Sequence, residues 1–297
     1  MFRNPFVSYC VAMITPFDQQ EGLAVQSIHT LVDYYKKNHV PALLVSGSTG
    51  EQHSMSIEER ITLYQEVRKA SGDDIIIIGG VAAVRTGDVL KLAKATQAAK
   101  LNGMMLGFPP YLHISQKEAY SYVQQICNVT ELPIMLYNNP ARTGFNLELE
   151  TLFKLVDDFP QIIALKEAGD PDNALLVKQK LGPSFTILTG FDLHIQDNMK
   201  NGYDGITSII GNVFPLEMQQ FVNYLKKQEW ELAESAFSNI HPKIKFIIER
   251  GMLRTIKYLL KEKQICLEVC RSPLSSLNQE EKIEIHAFMD TLTDINK

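Results

Sequence analysis

Eight short apolar runs recur along this 297-residue chain, each bounded by Gly, Pro, Asn or Asp. They are VAMITPF (11–17), ALLVSG (42–47), IIIIGG (75–80), GMMLGF (103–108), PIMLYN (133–138), IIALKE (162–167), FTILTG (185–190) and GITSII (205–210). Segments with helical periodicity lie between them, among them 27–35, 57–67, 88–99, 118–126 and 149–156. A strand that is apolar on both faces does not belong in an antiparallel sheet with one wet side. Such strands alternating with helices imply a parallel sheet covered by helices. Eight units closing on themselves predict an α/β fold of the (β/α)8 TIM-barrel type, with a doubly wound open sheet as the competing arrangement.

After about residue 214 the strand signal stops, and the stretches LEMQQFVNYLKKQEWELAESAF, KIKFIIERGMLRTIKYLLKEK and QEEKIEIHAFMDTL read as helices only. The expected organisation is a barrel over 1–225 and a C-terminal helical extension over 226–297. No Ser/Gly linker or low-complexity tract separates the two, so the extension should pack on the barrel. The length suits this, because such barrels commonly occupy about 250 residues as one unit.

Hydrophobic residues make up 45% of the chain and charged residues 21%, the balance of a globular protein. The net charge of −5, with no Lys/Arg run, offers no general attraction for phosphate backbones or anionic lipid, so neither nucleic acid nor membrane is an expected partner. The opening MFRNPFVSYC lacks the apolar core of a signal peptide, and 18 apolar residues never run together, which points to the cytoplasm. Cys10, Cys127, Cys266 and Cys270 are too scattered for a disulfide framework. Cys266 and Cys270 invite a metal reading, but no second pair or neighbouring histidine completes a zinc site, so no metal is expected.

In a barrel of this type the active site forms at the C-terminal ends of the strands, and polar residues that end the apolar runs are the candidates. Lys166 is the most unusual of them. It ends a run buried on both sides, so its amine faces the lumen or the mouth, where desolvation favours a neutral nitrogen able to attack a carbonyl. The competing reading is an ion pair with Glu167, or a lysine reaching out to the helix layer. Tyr137 ends the preceding strand and can relay protons across the mouth, or can be a core tyrosine with a satisfied hydroxyl. Gly47-Ser48-Thr49-Gly50-Glu51 is a tight turn whose amides and hydroxyls can hold a carboxylate, although an ordinary turn has the same composition. Ser56 with Glu59 three positions later marks the capped start of the next helix. Arg142 lies in a Pro/Gly loop, where its planar fork suits a carboxylate; otherwise it is a solvated surface arginine.

Taken in order from about Tyr9 to Asn212, these segments resemble the dihydrodipicolinate synthase / N-acetylneuraminate lyase family of Schiff-base, pyruvate-dependent lyases. Gly-Ser-Thr-Gly-Glu, Tyr-Asn-x-Pro-x-Arg-Thr-Gly and Ile-Ile-Ala-Leu-Lys-Glu-Ala carry the resemblance, and Arg271-Ser272-Pro273-Leu274 is similar to the family's closing segment. The resemblance implies that Lys166 forms an imine with pyruvate and that Tyr137 is the proton donor and acceptor. It implies that Thr49 links Tyr137 to Tyr111, which in the synthase branch crosses from a neighbouring subunit, so that a homodimer or homotetramer is expected. Ser48 and Thr49 would hold the pyruvate carboxylate, Arg142 the carboxylate of an aldehyde such as aspartate semialdehyde, and Gly190 and Ile206 would complete the substrate site. No cofactor is implied beyond the covalent imine.

Arg142-Thr143-Gly144 favours the synthase branch. Ser48 and Gly190-Phe191-Asp192 resemble the sialic acid lyases, and Leu193 breaks that likeness. The synthases' Asn-Pro-Ile-Pro-Val-Lys pattern is replaced near Arg250-Gly251-Met252-Leu253-Arg254. Val84 and Pro110 stand where lysine-inhibited synthases carry asparagine and tyrosine, so strong lysine feedback is not expected. Two alternatives stand beside the synthase. One is an aldolase or dehydratase for 2-keto-3-deoxy sugar acids or N-acetylneuraminate, and the other is a non-catalytic oxo-acid-binding relative.

Overall fold

In the computed structural model, which describes residues 4–294, the eight apolar runs form eight parallel strands that close into a barrel in chain order. They are β1 Tyr9–Ala12, β2 Ala42–Val45, β3 Ile76–Val81, β4 Gly103–Gly107, β5 Ile134–Asn138, β6 Ile162–Glu167, β7 Thr186–Thr189 and β8 Gly205–Ser208. Pairing of β1 with β8, Tyr9 opposite Ile206, shuts the ring and rules out the open sheet. The outer layer comprises α1 Val25–Lys37, α2 Ile57–Ser71, α3 Thr86–Ala98, α4 Gln116–Cys127, the single turn α5 Pro140–Thr143, α6 Leu149–Asp158, α7 Asn173–Leu181, α8 Ile195–Lys200 and α9 Pro215–Lys226.

The first strand starts and stops earlier than the run 11–17 suggests. Pro16 has no amide to give a ladder, and the amide of Ile14 is taken by Asn212 Oδ1 at 3.1 Å, so the chain peels away after Ala12. Ser56 caps α2 and Glu59 reaches back to the Ser56 amide, the reciprocal arrangement expected from their spacing.

Strand alternation sorts the apolar residues into two cores. Cys10, Ala42, Leu44, Ile78, Met105, Met135, Ala164 and Leu188 fill the barrel, with Phe6 packed among them. The larger core lies between strands and helices and includes Leu43, Val45, Leu106, Leu136, Leu165 and Ile206. A buried leucine of this kind stabilises by about 2–3 kcal/mol relative to exposure.

Beyond the barrel come α10 Trp230–Glu249, α11 Met252–Glu262 and α12 Gln279–Asp294. The continuous helical stretches in the sequence are interrupted twice. Gln228 at φ 59° separates α9 from α10, and Gly251 at φ 79° separates α10 from α11. A residue in the left-handed region cannot continue a right-handed helix, and Gly251 takes that conformation without a Cβ penalty. The extension is tied to the barrel by a fully buried ion pair between Lys257 and Glu51. Removing one partner of such a pair costs about 3–5 kcal/mol.

Candidate active site

Lys166 is the inward-facing residue at the end of β6. Ala164 two positions earlier points into the barrel, so Lys166 does too, while Leu165 and Glu167 face the helices. The lysine is 6% exposed, and its Nζ lies 4.7 Å from the centre of the Tyr137 ring. Register explains the proximity, since Tyr137 on β5 is the direct partner of Lys166. The Lys166–Glu167 ion pair does not form. Glu167 instead accepts from Asn138 Nδ2 at 2.9 Å, the Gly169 amide at 2.6 Å and Asn173 Nδ2 at 3.3 Å. Burial raises the Glu167 carboxyl above its usual range, and those donors oppose the rise. Inside the barrel, burial pushes the Cys10 thiol up to about 12, so it stays protonated and does not compete as a nucleophile.

Tyr137 is held from below by its strand and from above by Asn139, whose Nδ2 donates to the phenol oxygen at 2.6 Å. The same asparagine caps α5, its Oδ1 accepting from the Arg142 amide at 3.2 Å. Pro140 opens that one-turn helix and Gly144, at φ 71°, closes it. One residue thus fixes the tyrosine hydroxyl and the base of Arg142. Asn139 is not among the residues expected at the site, although an Asn before Pro is a visible helix-start signal. The Arg142 side chain is exposed and, among the described residues, makes no hydrogen bond or ion pair of its own.

Lys166, Tyr137, Ser48, Thr49, Arg142 and Gly190 line one cavity of about 290 Å³ at the C-terminal mouth of the barrel. The Gly47–Glu51 turn is built on Glu51 in the left-handed region at φ 55°, with the Glu51 amide donating to Ser48 O at 3.1 Å. Thr15 Oγ1 donates to Gly50 O at 2.6 Å, which fixes the turn against the end of β1. Ser48 and Thr49 are left facing the cavity.

Gly190 packs directly on Lys166, where a Cβ would stand 2.7 Å from Lys166 Cε. Asp192 also lines the cavity, but its carboxylate is taken up internally. It accepts from Ser208 Oγ, from the Ile209 amide at 3.0 Å and from the Ile210 amide at 3.4 Å, locking the β7 loop to the end of β8. Burial raises the Asp192 carboxyl, while Ser208, these amides and Lys166 pull it back.

Two predicted site residues are not brought into the cavity. Ile206 is fully buried in the layer between barrel and helices, because its neighbours in the β8 alternation place it outward; Ile209 lines the cavity instead. Tyr111 is 86% exposed, with φ 77°, on the loop after β4, and does not line the cavity. Within one chain the Tyr137 hydroxyl is therefore bonded by Asn139, and no Thr49 link to Tyr111 forms. Ile248 and Met252, from the extension, complete the outer wall and carry no polar signal that a sequence reading would select.

A buried amine beside a phenol at the mouth of a (β/α)8 barrel, with the Ser48-Thr49 turn on the same cavity, is an arrangement able to support class I lyase chemistry. The chain belongs to the dihydrodipicolinate synthetase family, whose model matches residues 5–292. It is 30% identical over 288 residues to the 4-hydroxy-tetrahydrodipicolinate synthase of Bacillus subtilis, covering 97% of this chain and 99% of that one. The synthase of Moorella thermoacetica is 31% identical over 279 residues, 94% of this chain and 95% of the relative. Among solved structures, dihydrodipicolinate synthase from Aquifex aeolicus superposes with a TM-score of 0.92 at 24% identity, covering 97% of this chain and 98% of that one. A monomeric dihydrodipicolinate synthase variant superposes with a TM-score of 0.89 at 26% identity, covering 98% and 97%. Among the described residues, no helix is long and apolar enough to cross a membrane.

Proposed function

We propose that this chain is a Schiff-base-forming lyase that condenses pyruvate with an aldehyde, acting as a 4-hydroxy-tetrahydrodipicolinate synthase with aspartate semialdehyde as second substrate. The observation that carries the proposal is the buried Lys166 amine, 4.7 Å from the Tyr137 ring in a cavity that also presents Ser48, Thr49 and Arg142. The amine of Lys166 adds to the ketone carbon of pyruvate, and loss of water gives the imine. Tyr137, oriented by Asn139, donates and accepts the protons of those steps. The protonated imine draws electrons from the adjacent methyl group, which loses a proton to give an enamine nucleophile that adds to the aldehyde. The imine nitrogen is itself the electron sink, so the chemistry calls for neither a metal nor an organic cofactor. Ser48 and Thr49 hold the oxo-acid carboxylate, and Arg142, whose side chain has no competing partner among the described residues, takes the carboxylate of the aldehyde.

An aldolase for polyhydroxylated sugar acids would use the same imine. The Asp192 carboxylate that would suit sugar hydroxyls is already engaged by Ser208 and two amides, which supports the synthase reading. The exposed Tyr111, held at a positive φ, supports a role in a neighbouring copy and hence a homo-oligomer, since a strained aromatic at a surface tip gains nothing within its own chain. A cytoplasmic setting suits a small-molecule enzyme with buried free thiols.

Borohydride reduction in the presence of pyruvate, followed by intact mass measurement, tests the proposal. A stable adduct on Lys166 is expected, and turnover of aspartate semialdehyde should exceed that of sugar-derived aldehydes. An unmodified protein would favour the non-catalytic oxo-acid-binding relative, and the reverse substrate preference the aldolase.

A further inference from the structure

The turn that faces the oxo acid is held in place by the C-terminal extension. Glu51, its last residue, is fully buried, and one carboxylate oxygen receives Lys257 Nζ from α11. The other oxygen accepts from the Arg271 amide at 2.9 Å. Lys257 is itself fully buried, and it also donates to Val269 O at 2.7 Å. Its ammonium sits 4.4 Å from the centre of the Phe17 ring, and the Arg271 guanidinium stacks on the same ring at 4.3 Å. Arg271 then bridges outward, donating to Ser54 O at 2.7 Å, to Glu21 O and to the Glu59 carboxylate.

Two fully buried charges persist only where geometry and hydrogen bonding satisfy both, so this pair is a rigid strut. It joins α11 to the residue two positions after Thr49. The rest of the turn is held by weaker, neutral contacts, such as Thr15 to Gly50 O. Replacing Lys257 would leave the Glu51 carboxylate buried without its cation, with only the Arg271 amide still donating to it. The end of the turn would then be held by the Arg271 amide alone, and Thr49 and Ser48 would lose the anchor that Lys257 supplies through Glu51.

We propose that Lys257 is a positioning residue for the oxo-acid site: through Glu51 it sets the Ser48-Thr49 turn that receives the oxo-acid carboxylate, making the extension a working part of the active site. The inference rests on the imine-lyase reading above. It assigns Lys257 no contact with substrate.

Lys257→Met keeps the stem and removes the charge. Relative to wild type, the variant should raise KM for pyruvate about tenfold or more while kcat falls no more than about threefold, since a misplaced carboxylate cradle weakens binding ahead of the chemistry. KM for the aldehyde, held at Arg142, should stay within about twofold. Glu51→Gln retains an acceptor for Lys257 Nζ and should show the smaller rise in pyruvate KM. If Lys257→Met does not fold, the double variant Glu51→Gln/Lys257→Met, which buries no lone charge, is measured in its place with the same expectation. The folded fraction is counted by the maximal borohydride-trapped adduct at saturating pyruvate. A folded variant with unchanged pyruvate KM, or one with equal losses in both KM values, overturns the proposal. Failure of wild type to form any pyruvate adduct would instead overturn the imine-lyase reading, and this inference with it.

Discussion

Gly190 and Lys166 are in contact across the β6–β7 ladder, with the glycine's missing side chain occupied by the lysine's terminal methylene. A Cβ on Gly190 would meet Lys166 Cε at 2.7 Å and Nζ at 3.3 Å. Gly190→Ala must therefore displace the amine. A nucleophile moved by about 1 Å loses on the order of 100-fold in rate. We expect kcat/KM to fall by about that factor with little change in thermal stability. Pre-steady-state trapping with pyruvate and borohydride would show the slower imine formation, and an alanine variant of full activity would contradict the geometry.

Lys166→Ala and Lys166→Arg should both abolish the pyruvate adduct and reduce turnover by at least about 1000-fold, the scale of removing a nucleophile. Intact mass after borohydride reduction reads the first effect directly. Retained adduct in either variant would move the imine to another lysine.

Tyr137→Phe keeps the ring beside Lys166 and removes the hydroxyl that Asn139 orients. Turnover should drop about 100-fold, within the range for loss of a proton-transfer group, with the adduct still forming slowly. Asn139→Ala should have the smaller effect on kcat, because the hydroxyl remains but is no longer aimed. Kinetics of the two variants in parallel give the order, and an Asn139 effect exceeding that of Tyr137 would refute it.

Arg142→Ala should raise KM for aspartate semialdehyde about 10- to 100-fold, the value of a charge-assisted hydrogen bond to carboxylate, and leave pyruvate KM nearly unchanged. Equal increases for both substrates would show that the arginine is not assigned to the second one.

The Arg271 guanidinium beside Glu59 holds that carboxyl below the usual carboxylate range. A depressed folded-state value means the bridge stabilises above the unfolded value of about 4.3 and is lost as pH falls through the lower folded one. Glu59→Gln should therefore melt at lower temperature than wild type at pH 7, and the gap should close under acid. Melting curves across pH 3 to 7, a range chosen around that carboxylate value, provide the check. A constant gap would show that the Glu59 charge contributes nothing.

The barrel was legible because local rules decide it. Runs such as IIIIGG and PIMLYN, buried on both faces and separated by helical periods, admit few arrangements, and Lys166 and Tyr137 stand out as polar ends of apolar strands. The breaks at Gln228 and Gly251 were not legible, because each depends on a left-handed residue inside an otherwise helical pattern. The role of Asn139 was not legible because it is a contact with the Tyr137 hydroxyl, and the outward placement of Ile206 depends on the phase of β8.

By itself the sequence determined the strand and helix order, the alternation that turns Lys166 inward, and the polar residues available at the strand ends. The tertiary structure alone decided which of them meet. Tyr137 faces Lys166 through strand register, Glu51 reaches Lys257 across 206 positions of chain, and Tyr111 is carried out to the surface. Periodicity is set by neighbours in sequence, whereas register, barrel closure and the pairing of buried charges are set by residues that only folding brings together.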